Sequence, residues 1–259
     1  MRRFRDHRPL FWGRRKKKRG QARLILTFGL FAPILSVMPR VPRASVGGIC
    51  YHVMNRGNGR RTVFHKDGDY QAFLKAIGHA CIEIPMPVLG FCLLPNHFHL
   101  VVWPKEDGDL SRWMHWVLNT HVRRYHQHYH TSGHIWEGRF QAFPIEEDEH
   151  LLTVLRYADR NPVRANLVRR AEQWPWSSAR LWQDETARPS YLAAGPVKRP
   201  RSWLDWANQA LTPAELEAVR RCVNRGAPFG SAGWVEKTAK RLGLQSTLQP
   251  RGRPRKSTK

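Results

Sequence analysis

The residues best equipped for chemistry are two histidines one position apart, in Leu93-Leu94-Pro95-Asn96-His97-Phe98-His99-Leu100-Val101-Val102-Trp103. On a strand alternate side chains share a face, so His97 and His99 point one way and Phe98 the other. Two neutral imidazoles on a rigid strand are half of a divalent-metal site. Alone, such a pair is more often two structural histidines. Ligation needs a third donor, and phosphodiester chemistry needs a nucleophile. Arg156-Tyr157-Ala158-Asp159-Arg160-Asn161-Pro162-Val163-Arg164-Ala165 offers both. Tyr157 and Asn161, four apart, share one helical face. The Tyr157 phenol is able to attack phosphorus. The Asn161 amide oxygen suits a hard cation beside the histidines. On spacing alone a half-buried structural tyrosine is the commoner case. Tyr125 and Tyr129 are rival nucleophiles, but no Asn-Pro follows them. His126, His130 and His134 would suit zinc only on a continuous helix, and Ser132-Gly133 argues against one.

The elements that must position these residues follow from periodicity. Ile49 to Asn55 alternates as a strand. Arg56-Gly57-Asn58-Gly59-Arg60-Arg61 is a basic turn suited to close approach to phosphates. Asp67 is the expected cap of a helix carrying Tyr70, Phe73, Leu74, Ile77 and Ala80. Val88 to Leu94 is a second strand and the histidine stretch a third. A helix over about 111–130, capped by Asp109 or Ser111, precedes a turn and strand over 136–145. An acidic first turn, Glu146 to Glu149, opens a helix expected to end at Asn161, because the residue before a proline disfavours helix. The order β-α-β-β-α-β plus a helix predicts an α+β fold, a ferredoxin-like split βαβ sheet with helices on one face.

Beyond this core, Trp174-Pro175-Trp176 reads as a wrap, and 181–244 as a C-terminal helical appendage. Thr212-Pro213 starts one helix there, and Ser231 starts another that ends at Gly243. Residues 245–259 read as a disordered basic tail. Its Arg251-Gly252-Arg253-Pro254 suits a narrow minor groove, making Arg253 a candidate DNA contact. Residues 1–37 differ in texture: eleven basic residues between Arg2 and Arg23, then a short apolar run. They resemble a signal peptide, but a non-native or disordered extension ahead of Met38 fits better, and a basic arm is the third choice.

The 259 residues include 44 Lys+Arg against 20 Asp+Glu, a net +24, which attracts phosphate backbones and makes nucleic acid the leading partner class, with no membrane partner expected. Cys50, Cys81, Cys92 and Cys222 are widely spaced and form no C-x-x-C. They argue against a disulfide framework and suit a cytoplasmic protein.

Tyr51-His52-Val53-Met54-Asn55-Arg56-Gly57, Leu94-Pro95-Asn96-His97-Phe98-His99-Leu100-Val101, Trp136-Glu137-Gly138-Arg139-Phe140 and Tyr157 to Ala165 occur in this order. Together they resemble the single-tyrosine HUH transposases, specifically the REP-associated tyrosine transposase branch, over about residues 38–180. The resemblance implies that His97, His99 and Asn161 bind a divalent cation, Mg²⁺ or Mn²⁺. It implies that Tyr157 is the nucleophile of single-stranded DNA nicking and strand transfer, with His97 and His99 also catalytic. The implied intermediate is a 5′-phosphotyrosine and the implied partner a single-stranded or hairpin DNA, bound by a monomer or homodimer, with Arg56, Arg60, Arg61 and Arg164 as candidate DNA contacts. Two other readings stay open: a hairpin-DNA or RNA binding protein without cleavage, and a hydrolase in which water attacks and Tyr157 is structural.

Overall fold

The computed structural model describes residues 45–184 and 186–250, so residues 1–37 and Arg253 lie outside the described residues. Four strands, β1 (Cys50–Arg56), β2 (Val88–Leu94), β3 (His97–Val102) and β4 (Gln141–Ile145), form one antiparallel sheet in the order β2-β3-β1-β4. Helices α1 (Asp67–Glu83) and α2 (Asp109–Tyr129) complete the split βαβ order. β1 and β2 run the same way on either side of β3, as a crossover helix requires.

Alternation along the strands divides the core in two. Tyr51, Val53, Phe98, Leu100 and Val102 pack with Phe73 and Ile77 of α1 and Trp113 and Val117 of α2. Cys50, Val101, Phe143 and Ile145 pack with Leu151, Val154 and Leu155 of α3 (Glu149–Asp159). The expectation of helices on one face therefore holds for α1 and α2 and is corrected for α3, which covers the opposite face. β2 carried the signal: Val-Leu-Gly-Phe-Cys-Leu-Leu is apolar on both sides, the mark of a strand buried on both faces. Gly90 lets α3 approach closely, since a Cβ there would lie 2.8 Å from Leu155 Cδ2.

Local differences from the sequence expectation have simple causes. The cap of α1 comes from Asp69, whose carboxylate accepts from the His65 and Lys66 amides (2.9 and 3.3 Å); Asp67 is the first helical residue. Asp69 also accepts from Arg124 (3.2 Å) and from the Tyr129 hydroxyl (2.6 Å), tying α2 to α1. The third helix stops at Asp159, two residues early, and α4 (Asn161–Arg164) resumes after Arg160. Pro162 has no N–H for the Ala158 carbonyl.

The C-terminal region adds α5 (Trp203–Asn208), α6 (Pro213–Arg225), α7 (Ala232–Leu242) and α8 (Gln245–Leu248). α6 begins at Thr212-Pro213 with a capping box, and α7 follows Ser231 and ends at Gly243, both as expected. The helix α8 occupies the start of the segment expected to be disordered. The Arg225 guanidinium holds it through the carbonyls of Ser246, Thr247 and Gln249. Ser177 bridges to Cys92 and Leu192 to Val88 along the outer side of β2, while Phe229 bridges to Ile145 beside β4. Both sheet edges are thereby covered. No helix of the described residues is long and apolar enough to cross a membrane.

His121 of α2 is buried among Phe64, Phe73 and Trp136, with Nδ1 lacking a partner. Burial, with Arg124 nearby, pushes its pKa from 6.5 down to about 3. Between these values the unfolded chain binds the proton more readily, so stability falls as pH drops from about 6.5 towards 3. His121→Phe should shallow that acid-side slope in denaturant titrations at a series of pH values.

Candidate active site

The β1–β3 register places Met54 opposite His99 and Arg56 opposite His97. His97, His99, Arg56 and, four residues back along β1, His52 thus share the face towards α3. The last turn of α3 brings in Tyr157, and α4 brings Asn161 and Arg164. His97, His99, Arg56, Tyr157, Asn161 and Arg164 line a cavity of about 450 Å³, bordered also by Arg60, Asn96 and Arg139 and walled by Val223 and Asn224 of α6; His52 lies behind His99, outside the lining. One chain therefore assembles both histidines, the tyrosine and the asparagine.

Tyr157 is 5% exposed. Its ring stands edge-on to His99, centroids 5.6 Å apart at 88°, and the Arg164 guanidinium lies 4.4 Å over it. His97 and His99 have ring centroids 5.1 Å apart. Burial, then the charges of Arg56 and Arg164, holds His97 down at about 4. Burial depresses His99 well below the usual histidine range, with His52, His97 and Arg164 adding to the effect. Burial alone puts His52 at about 3. All three are neutral at pH 7, the state in which an imidazole nitrogen ligates a metal.

The hydrogen bonds test whether a cation fits. Asn96 Oδ1 lies 2.6 Å from His97 Nδ1. The other end of that amide donates to the Arg60 carbonyl (3.1 Å), which fixes its orientation. His97 Nδ1 is therefore the donor, and its Nε2 carries the lone pair. His99 Nδ1 lies 2.9 Å from His52 Nε2, while His99 Nε2 is buried with no partner. An unpartnered imidazole nitrogen in this cavity, beside a second imidazole, suits a divalent cation.

Asn161 is oriented by the helix break. Its amide donates to the carbonyls of Tyr157 (2.9 Å) and Ala158 (3.4 Å), replacing the donor that Pro162 lacks. That leaves Oδ1 as the outward group, and Arg164 donates to it.

The other candidate residues divide. Arg60 lines the cavity in a left-handed conformation (φ 61°) that closes the Gly57–Arg61 turn. Arg56 also lines it and makes a two-point ion pair with Glu137 (3.1 and 3.0 Å). Both partners are about a third exposed, so that pair is worth no more than about 1 kcal/mol and yields readily to a phosphate. Arg61 is exposed and is not among the lining residues. Tyr125 bonds His65 (2.9 Å) and Tyr129 bonds Asp69, so both rival tyrosines serve the α1–α2 contact. α2 ends at Tyr129, and His130 turns left-handed (φ 50°), which breaks the spacing of His126, His130 and His134. Glu146, Asp148 and His150 are close enough to hold a cation. Glu146, however, binds Ser231 at the start of α7, and Asp148 caps α3, at the far end of that helix from Tyr157.

Sequence reasoning missed His52 and Glu137 as site neighbours. His52 touches His99 only through the β1–β3 register, and Glu137 lies 81 residues from Arg56. Asn96 was open to recognition, since it directly precedes His97 at the strand mouth.

Most of the residues lining this cavity lie in the segment shared with known proteins; Arg164, Val223 and Asn224 lie beyond it. Residues 45–161, ending on Asn161, match the family "Transposase IS200 like". The chain is similar to a REP-associated tyrosine transposase of Haemophilus influenzae, 31% identical over 117 residues, 41% of this chain. That alignment spans 66% of the relative's own length, just short of two thirds. The REP-associated tyrosine transposase of Escherichia coli is 25% identical over 135 residues, 51% of this chain and 76% of that one. Both relatives carry the name of the branch that the sequence motifs resemble. A solved structure of a REP-associated tyrosine transposase bound to a REP hairpin aligns with a TM-score of 0.49 at 21% identity, over 68% of this chain and 99% of that one.

Proposed function

We propose that this chain is a metal-dependent nicking and strand-transfer enzyme for single-stranded DNA, acting at hairpin or palindromic sites through a 5′-phosphotyrosine intermediate. The observation that carries this reading is the meeting of Tyr157 with His97 and His99 in one arginine-lined cavity. A divalent cation, Mg²⁺ or Mn²⁺, on His97, His99 and Asn161 would polarise the scissile phosphate. The Tyr157 oxygen attacks phosphorus as its proton leaves. The P–O3′ bond breaks, the 3′-oxygen of the upstream fragment takes a proton, and the downstream fragment stays on the tyrosine through its 5′-phosphate. One phosphodiester is exchanged for another, so a 3′-OH rejoins the strand without ATP. Arg56, Arg60 and Arg164 bring positive charge to the strand entering the cavity; Arg61, more exposed, and Arg253 in the tail extend that contact. The partner is DNA in the cytoplasm rather than a membrane. The enzyme works as a monomer or homodimer, with the catalytic unit over residues 38–180, the helical region over 181–244 and a basic tail from 245.

Arg164 has a specific task here. It spans Asn161 Oδ1 and the Tyr157 ring, so handing its guanidinium to a phosphate oxygen frees that amide oxygen. Arg164→Ala should lower single-turnover nicking by about a hundred- to a thousand-fold, as loss of one charged donor to a transferring phosphate does, while Mn²⁺ uptake is no weaker than in wild type, because the Asn161 oxygen is freed. Arg164→Lys, lacking the planar fork, should recover little.

The function is tested with hairpin oligonucleotides labelled at either end, incubated with Mn²⁺ or with chelator. The expected products are a fragment with a free 3′-OH and a protein-linked fragment carrying the 3′-end label, both absent in chelator. Cleavage leaving free 5′-phosphate and no linked protein would favour water as nucleophile. Tight binding with no cleavage would favour the binding-protein reading.

A further inference from the structure

We propose that His52 is a positioning residue of the metal centre, the partner that sets the tautomer of His99 so that Nε2 presents its lone pair to the cation. The inference rests on the reading of His97 and His99 as ligands and adds a third, non-ligating histidine.

His52 Nε2 and His99 Nδ1 are 2.9 Å apart, and both rings are shielded from solvent. One hydrogen lies between them. If His99 Nδ1–H donates, His99 Nε2 is a bare lone pair facing its neighbour ligand. If His52 Nε2–H donates, His99 Nε2 carries a hydrogen and does not ligate. The same logic operates on His97, where the Asn96 amide oxygen accepts from Nδ1 and leaves Nε2 for the cavity. Each histidine of the pair thus has its Nδ1 engaged by a neighbouring side chain, a hydrogen-bond acceptor orienting a metal ligand.

Packing alone gives no reason for an imidazole at position 52. Its ring stacks on Phe143, centroids 4.9 Å apart, and its own Nδ1 is buried without a partner. A phenylalanine would fill that place without the unfavourable burial of an unpaired nitrogen. The contact that only the imidazole makes is the one to His99.

The test compares wild type, His52→Phe and His52→Gln. Gln keeps an acceptor near the position of Nε2; Phe keeps the stacking on Phe143. Long-range ¹H–¹⁵N spectra of the metal-free wild type should show His99 as the Nδ1–H tautomer. Mn²⁺ titration followed by electron paramagnetic resonance should show ten- to a hundred-fold weaker uptake for His52→Phe, as loss of such an outer partner does. His52→Gln should stay within about three-fold of wild type by the same rule. Wild-type-like Mn²⁺ affinity in His52→Phe would overturn the inference, as would an Nε2–H tautomer of His99 both with and without Mn²⁺. A wild type that takes up no Mn²⁺ overturns the metal reading itself. The metal-free tautomer spectrum tells that failure from the failure of His52, and it needs no variant to fold.

Discussion

Tyr157→Phe should lower strand nicking by at least about a thousand-fold and abolish the protein–DNA adduct, the scale expected when a covalent nucleophile is removed. The substitution deletes one oxygen. The ring remains against His99 and under Arg164, contacts made by its faces and edge. Asn161 bonds the Tyr157 main-chain carbonyl, which the substitution keeps. Folding, Mn²⁺ uptake and hairpin binding should therefore stay within about three-fold of wild type, since the ring's packing is kept and none of the mechanisms of large destabilisation, such as a cavity or an unpaired buried charge, is created. Single-turnover nicking, thermal melts and a binding titration on the same preparations check this. An adduct that persists in Tyr157→Phe would move the nucleophile elsewhere. Cleavage that persists without an adduct would make Tyr157 structural.

The second large effect belongs to the histidines. His97→Ala and His99→Ala should each lower nicking by at least about a hundred-fold, the loss expected when a ligand of a catalytic cation is removed. The two should differ in stability. His97 is half-buried at the cavity mouth and its outer bond is to Asn96, so His97→Ala should melt close to wild type. His99 is 2% exposed, and its removal leaves His52 Nε2 buried without a partner. That costs about 1–3 kcal/mol. High Mn²⁺ should recover part of the activity of His97→Ala, because two donors remain. Calorimetric Mn²⁺ titration beside melting curves separates the ligand effect from the folding effect. Equal nicking in wild type and both variants would remove the cation from the chemistry.

The chemistry of the site was more legible in the sequence than its geometry. His97-Phe98-His99 announces its shared face through strand alternation, and Tyr157 and Asn161 announce theirs through helical spacing. The order β-α-β-β-α-β, with apolar runs at the right lengths, indicates the sheet. What stayed hidden depends on partners distant in sequence. The apolar run of β2 marks a strand covered on both faces, but that α3 is the helix covering the second one rests on Gly90 admitting Leu155, a close approach that periodicity does not describe. The His52–His99 contact needs the strand register, and the Arg56–Glu137 pair needs the 135–140 loop folded back beside β1. The break at Arg160 is a one-residue matter. Pro162 was seen to end a helix; that Asn161 would turn its amide inward to serve the stranded carbonyl, and so aim its oxygen outward, follows only from the bonds themselves.

The most direct measurement is peptide mapping of the trapped adduct. Wild-type protein is incubated with hairpin DNA and Mn²⁺ and digested with protease and nuclease, and the nucleotide-bearing peptide is sequenced by mass spectrometry. A 5′-linked nucleotide on Tyr157, formed only with Mn²⁺ and lost in His99→Ala, is the expected result. A nucleotide on Tyr125, Tyr129 or any other residue, or an adduct that forms equally well in chelator, would contradict the assignment of His97, His99 and Tyr157 to one catalytic centre.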